Sequence, residues 1–517
     1  MGAEAVESPL WAEPHIRQGV EPVSIVIFGA TGDLTARKLV PALFSLAQED
    51  MLPPGFGIVG FARRPWSHED FRQKMRDGVE AFSRHPPDEQ SVWEGFAANL
   101  FYVRGGFTEG ERYAVLDRFL REQAEAEGRP DNRLYYLAAP PQFYAEIIAH
   151  LGRARMARDS EAGWRRIVIE KPFGYDLKTA TELNEIVHLV FGEEQIYRID
   201  HYLGKETVQN ILVLRFANAI FEPIWNRRYV DHVQISVAES VGIGGRAGYY
   251  DQAGVIRDIF QNHILQLLTL VAMEPPVAFE ADAVRDEKVK VLRAMRPMSH
   301  HEIETHTVRA QYAAGVVNGE HVPGYCEEPN VAPDSQTATY AALKWYVDNW
   351  RWHGVPFYLR SGKRMATRAT EVSIHFKRPP HLLFDAMDDE ELRANVLALR
   401  IQPDEGIALR FEAKLPGQGM ARRSVTMDFS YRESFGATSS PDAYERLLLD
   451  AMRGDPTLFA RSDEIEWAWR LIDPIFEGWQ SEYAPPLETY EAGTWGPRGA
   501  DELLERDGRR WRRLLDG

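Results

Sequence analysis

The densest run of reactive side chains is Arg198-Ile199-Asp200-His201-Tyr202-Leu203-Gly204-Lys205-Glu206. Between Asp200 and Lys205 it holds a carboxylate, an imidazole, a phenol and an ammonium. A bound phosphate needs such donors to converge: lysine as a point charge, histidine and tyrosine as directional donors. A second histidine, His263, interrupts the apolar stripe of Ile256, Phe260, Leu267 and Val271 in a helix candidate over 254–271. Alone, a histidine there is a core residue; beside a carboxylate it is an oriented general base. Asp258 lies five residues earlier and does not share its face on a regular helix, which argues against Asp258 as the partner.

Other groups point to a nucleotide. Gly29-Ala30-Thr31-Gly32-Asp33-Leu34 follows an apolar run and precedes a helix pattern. Small residues there allow a tight turn and bring backbone N–H groups close to a pyrophosphate. After the next strand candidate stands Ala62-Arg63-Arg64, where an NAD site keeps a carboxylate for the ribose; guanidinium groups suit a 2′-phosphate, hence NADP. Glu170-Lys171-Pro172-Phe173-Gly174 ends a later strand candidate, so Lys171 is expected to face the crevice beyond the strand ends, with Pro172 a candidate for a cis bond. His301-Glu302-Ile303-Glu304-Thr305-His306 invites a metalloprotease reading, but its histidines are one residue too far apart to share a helix face, and no metal site is expected.

These residues need elements to hold them. Apolar runs at 24–28, 56–61, 100–103, 134–138, 166–169 and 196–199 alternate with helical patterns. That is the signature of an α/β domain with a doubly wound parallel sheet, over residues 22–200. Strand candidates at 230–237, 308–312, 357–360, 371–377, 398–401 and 407–414 predict a β+α domain over 201–517 with a large, mostly antiparallel sheet. Residues 1–21 read as a mobile arm. Arg509, Arg510, Arg512 and Arg513 around Trp511 read as a solvated helix end.

The chain has 517 residues, 60 of them Lys or Arg and 77 Asp or Glu, a formal net charge of −17. Such a surface repels nucleic acid and anionic membranes. The one cysteine, Cys326, excludes an intramolecular disulfide framework and a cysteine-rich zinc site. The apolar stretch 264–273 is too short to span a bilayer, and no targeting segment is evident. A cytoplasmic location is expected.

Together these motifs resemble the glucose-6-phosphate dehydrogenase family. The match takes in the glycine loop, the Glu-Lys-Pro turn and the 198–206 run. It continues through Tyr249-Tyr250-Asp251, Arg257-Asp258, Gln261-Asn262-His263 and Val355-Pro356-Phe357-Tyr358-Leu359-Arg360-Ser361-Gly362-Lys363. The resemblance implies a Rossmann domain followed by a β+α domain whose sheet helps form a homodimer or homotetramer. It also implies oxidation of glucose 6-phosphate at C1 to 6-phosphogluconolactone with hydride transfer to NADP, the first step of the oxidative pentose phosphate pathway. By it, His263 takes the hydroxyl proton and Asp200 orients His263. His201, Tyr202 and Lys205 hold the phosphate, and Lys171, Glu239, Asp258, Lys363 and Arg368 address the sugar. Gly29, Ala30, Thr31, Gly32, Asp33, Leu34, Arg63 and Tyr136 match cofactor positions, with Lys171 also near the cofactor. Two other readings stand beside it. Other Rossmann sugar oxidoreductases share the Glu-Lys-Pro turn, but the likeness to them stops before Asp200-His201-Tyr202. A non-catalytic sugar-phosphate sensor on the same fold would be expected to lose His263 or Asp200, and both are present.

Overall fold

The structure, a computed structural model, describes residues 19–87, 89–379, 393–417, 420–436 and 441–514. Residues 1–18 of the expected arm lie outside the described residues. The chain divides into two compact units. One holds the described part of Met1–Glu170 with Ile186–Tyr197 and Tyr444–Pro456; the other holds Lys171–Glu185 and the described parts of Arg198–Ala443 and Thr457–Gly517. Both the Glu-Lys-Pro turn after Glu170 and the run from Arg198 therefore belong with the second unit.

In the first unit the apolar runs are strands: β1 Ser24–Phe28, β2 Gly57–Ala62, β3 Leu100–Arg104, β4 Arg133–Leu137, β5 Arg165–Ile169 and β6 Ile196–Arg198. They line up as β3-β2-β1-β4-β5-β6, the order of a Rossmann sheet. Pairing is parallel from β3 through β5. Every residue of β1 is buried, which is why its sequence runs apolar without alternation.

The second unit is built on a nine-stranded sheet. Its strands, with a separate hairpin, are β7 Val230–Ala238, β8 Thr307–Ala313, β9 Gly315–Val317, β10 Glu320–Val322, β11 Tyr340–Tyr346, β12 Pro356–Gly362, β13 Ala369–Phe376, β14 Val396–Gln402, β15 Gly406–Lys414, β16 Arg422–Ser430 and β17 Leu487–Glu491. The order is β16-β15-β14-β13-β7-β12-β11-β8-β17, with β9 and β10 apart. Most pairs are antiparallel as expected, but β7–β12 and β8–β17 run parallel. Strands β9, β10, β11, β16 and β17 were not foreseen. β16 is polar and largely solvent-facing, so it shows no apolar run to read.

Two local expectations are corrected. The helix over 254–271 is not regular. Gly254 takes φ 59° and ψ 180°, a conformation open to glycine, and breaks the helix Ala247–Val255 from the next turn of chain. Ile256–Ile264 is then wound as a π-helix before the α-helix Leu265–Ala272. The C-terminal arginines do not end a helix, and of the four only Arg510 and Arg513 are exposed. The last helix stops at Glu505, and the tail lies on the sheet. Arg509 forms a two-pronged pair with Asp231 at 2.8 and 3.0 Å, and Arg512 meets Glu371 at 3.0 Å. The Arg360 guanidinium covers the Trp511 ring at 4.3 Å.

Candidate active site

The glycine loop forms in the first unit as its residue types require. Gly29 has φ +94°, and a Cβ there would stand 2.4 Å from the Ala138 carbonyl oxygen. The Gly32 N–H closes the turn on the Gly29 carbonyl at 2.9 Å, and the chain enters a helix at Asp33. In β2, a Cβ on Gly60 would strike Ala30 at 2.8 Å, so the loop's seat is also cut to fit. A backbone cradle that a side chain would fill suits a pyrophosphate at a helix start. Arg63 and Arg64 are exposed at the end of β2, where the Tyr102 hydroxyl lies 2.9 and 2.8 Å from the Ala62 and Arg64 carbonyls. Tyr136, also expected at the cofactor, points into the interior. It is fully buried, and its hydroxyl donates to Glu170 at 2.6 Å. Burial and the Glu170 carboxylate push that phenol far above its ordinary range.

The residues expected at the substrate gather in the second unit. Arg198 is buried, its guanidinium bonded to Asn184 at 3.0 Å and set over the Phe173 ring at 5.0 Å. That packing fixes the start of the 200–205 turn against the Pro172-Phe173 segment, where Lys171–Pro172 is cis. Parallel pairing of β7 with β12 sets Ala238 opposite Gly362, so the next residues, Glu239 and Lys363, emerge side by side. Lys205 caps the helix Glu206–Phe216, and Thr207 ties that helix to the Ile401 carbonyl in β14 at 3.1 Å.

At the centre, His263 Nδ1 lies 2.6 Å from Asp200 Oδ1, and His263 Nε2 lies 2.8 Å from Lys171 Nζ. A carboxylate only accepts and an ammonium only donates, so the ring carries its proton on Nδ1 and its lone pair on Nε2. Burial first, then the Lys171 ammonium, push His263 well below the usual histidine range. The imidazole is therefore neutral and basic at the right nitrogen. Burial pushes the Asp200 carboxyl up, against the pull of His201, Lys171 and the Tyr202 N–H at 2.9 Å. The Tyr202 ring stacks on His263 with centroids 4.2 Å apart, and His201 meets it edge-on at 4.6 Å.

Asp258 is not the dyad's carboxylate, as expected, but the reason given for excluding it fails. In a π-helix residues five apart fall in line. Asp258 and His263 both reach Lys171, the former with Oδ1 3.7 Å from its Nζ. Lys363 Nζ bonds Asp258 Oδ2 at 3.0 Å and also bonds Glu239. Burial opposes the charge on Asp258, but Lys171 and Lys363 win and hold its carboxyl well below the usual range.

On the other side, Lys205 sits over the Tyr202 ring at 4.4 Å and donates to Gln402 Oε1. Arg368 donates to the same oxygen at 3.2 Å. The Tyr202 hydroxyl is 3.2 Å from Thr370 Oγ, to which Gln402 Nε2 donates at 3.1 Å. Burial and then Arg368 push Lys205 down to about 8. Gln402 and Thr370 were not singled out from the sequence. A glutamine at a strand end and a threonine in a strand carry no local signal.

Asp200, His201 and His263 also bring ligand-type atoms within 4.8 Å of one another. Both His263 nitrogens are engaged by Asp200 and an ammonium, an arrangement for proton transfer.

Two family models cover nearly the whole chain: the NAD binding domain of glucose-6-phosphate dehydrogenase over residues 26–210 and its C-terminal domain over 212–512. Glucose-6-phosphate 1-dehydrogenase 2 of Mycobacterium tuberculosis is 50% identical over 492 residues, 95% of each chain. Glucose-6-phosphate 1-dehydrogenase of Chlamydia muridarum is 48% identical, covering 95% of this chain and 97% of its own. A solved glucose-6-phosphate dehydrogenase in complex with its substrate glucose 6-phosphate superposes with a TM-score of 0.87 at 37% identity, covering 95% of this chain and 99% of that one. Taken with the glycine cradle and the histidine–aspartate dyad, these matches establish that the chain belongs to the glucose-6-phosphate dehydrogenase family.

Proposed function

We propose that the protein oxidises glucose 6-phosphate at C1 to 6-phosphogluconolactone with NADP, the first step of the oxidative pentose phosphate pathway, using the residues of this site. The observation that carries the residue roles is the chain Asp200–His263–Lys171, which leaves the lone pair of a neutral, buried imidazole aimed at an exchangeable donor. His263 Nε2 takes the C1 hydroxyl proton. Asp200 keeps the ring in the needed tautomer and stabilises the imidazolium as it forms. Lys171 Nζ gives up its place on Nε2 when the sugar hydroxyl arrives.

His201, Tyr202 and Lys205 hold the phosphate. Gln402 supports them by holding Lys205 and Arg368 on one oxygen, a position a phosphate dianion takes over as the stronger acceptor. Glu239, Asp258 and Lys363 form a fixed ionic cluster that reads the sugar hydroxyls, with Arg368 near its phosphate end. The loop from Gly29 through Leu34 binds the pyrophosphate of NADP and Arg63 its 2′-phosphate. Tyr136 serves from beneath by fixing Glu170 at the end of β5. When bound, NADP supplies the hydride acceptor.

The active form is a homodimer or homotetramer. Exposed Leu415, Met420, Met427 and Phe435, on and beside β15 and β16, support this as apolar side chains of the kind subunit contacts use. A cytoplasmic location suits the single cysteine; among the described residues no helix is long and apolar enough to cross a membrane. The test is absorbance of reduced nicotinamide with glucose 6-phosphate against free glucose, and NADP against NAD. No turnover of glucose 6-phosphate with either nicotinamide refutes the assignment.

A further inference from the structure

Behind the helical stretch that carries His263 lies an ion pair that has no part in the proton transfer itself. Lys288 Nζ and Glu464 Oε1 are 2.9 Å apart, and each side chain is only 1% exposed. Lys288 stands on the helix Ala281–Ala294 and Glu464 on the helix Ser462–Trp479; the two helices pack together, and the second also packs on the π-helical stretch of His263. Gln266, three residues after His263 and buried, donates to Glu464 Oε1. The pair is thus tied to the helix that presents the base. Asp200 accepts from His263 and the Tyr202 N–H on Oδ1; its Oδ2 is buried and has no hydrogen-bond partner among the described residues. A buried ion pair is a poor source of stability compared with apolar side chains of the same volume. Its tie to the helix that carries His263 gives it a different use.

We propose that Lys288 and Glu464 are positioning residues of the Asp200–His263 dyad: the ammonium holds Asp200 as the carboxylate, and Glu464, through Gln266, holds both the ammonium and the His263 helix in place. The inference rests on the dyad being the proton acceptor for glucose 6-phosphate. Lys288 is among the cations that favour charge on Asp200.

The dyad has many charged neighbours, so the sign of the effect has to be taken in their presence. Lys171 faces it from the turn after β5; His201, Tyr202 and Lys205 from the 200–205 segment; Asp258 from its own helix; Lys363, paired with Glu239, from the end of β12. Lys288 and Glu464 add one charge of each sign from two further helices. Taking up a proton on either member of the dyad adds positive charge and abolishes the base. Lys288 opposes that uptake, and Glu464 favours it by offsetting Lys288.

The test is the pH dependence of kcat/KM for glucose 6-phosphate with NADP, using the full-length enzyme. Lys288→Met should move the acid limb to higher pH, by up to about one unit, since one charge in contact range shifts a carboxyl by about one unit or more and a more distant one by less. Glu464→Gln should move it to lower pH. The double variant should return toward the wild type, and Lys288→Arg, which keeps the charge, should keep the profile. Pure packing loss lowers activity without opposite shifts. If both single variants fold, by circular dichroism and thermal midpoint, and their acid limbs stay put or move together, the pair is only structural and the proposal falls. If Lys288→Met does not fold, the isosteric Glu464→Gln decides alone: a downward shift supports the proposal and none overturns it. Wild-type turnover of glucose 6-phosphate is the separate check on the underlying reading. Its absence removes both, whereas an active wild type with unshifted variants removes only the role of the pair.

Discussion

Lys171 Nζ stands 2.8 Å from His263 Nε2, on the lone pair that accepts the substrate's proton in the proposed reaction. The ammonium therefore does two things. It keeps the imidazole neutral by repulsion, and in the proposed reaction it holds the place the sugar hydroxyl takes. Because burial and Lys171 both lower the histidine, the base remains unprotonated below the ordinary value of 6.5. In the wild type the acid limb of kcat/KM is expected below pH 6.5, and a limb at or above it contradicts this arrangement.

Removing the base should be costly. General-base help is worth about 10²–10⁴ in rate. His263→Asn should lower kcat by that order while the KM for glucose 6-phosphate changes little. Asp200→Asn should also lower kcat, since an amide no longer enforces the tautomer or stabilises the imidazolium. Near-normal steady-state turnover in the His263 variant excludes it as the base.

Lys205 should set the alkaline side of substrate capture. In the free protein it is pushed down to about 8, so its charge is lost as the pH rises through that value. The KM for glucose 6-phosphate should then rise above about pH 8, with kcat less affected because the phosphate is remote from C1. Lys205→Thr should raise KM about 10- to 150-fold, the affinity equivalent of roughly 1.5–3 kcal/mol for a hydrogen bond to a charged group. It should also abolish this alkaline rise. An equal loss of kcat/KM with free glucose instead assigns Lys205 to the fold.

Arg63 stands exposed where NAD enzymes keep an acid. Arg63→Ala should raise the KM for NADP far more than that for NAD, measured side by side. Equal changes move the role to Arg64.

The C-terminal tail should matter for stability. Arg512 is the ion partner of the buried Glu371, at 3.0 Å. Deleting one member of a buried pair costs about 3–5 kcal/mol because the other charge is left behind. Arg512→Ala should lower the denaturation midpoint accordingly, and Glu371→Gln in the same background should recover part of the loss. An unchanged midpoint in urea shows that the pair is not holding the tail.

Much of this protein is local and so written plainly in its sequence. The six strands of the first unit are continuous apolar runs because both faces of a parallel sheet are covered, and burial leaves no alternation to misread. The glycine loop is legible because its geometry excludes side chains at Gly29, a demand that any tight turn onto a helix makes of its own residues. Asp200, His201, Tyr202 and Lys205 cluster within one turn, so their joint chemistry shows without a fold. What packing decides is which distant groups meet. His263 finds Asp200 across 63 positions, and Lys205 finds Gln402 across 197. The parallel β7–β12 pair brings Glu239 beside Lys363, and the π-helix turns Asp258 toward the side of His263 that a regular helix would deny it. The tail arginines meet Asp231 and Glu371 only once the sheet exists to receive them. Periodicity reports a residue's neighbours within a turn or a strand; contacts between elements arise from topology and close packing, which no short window of sequence contains.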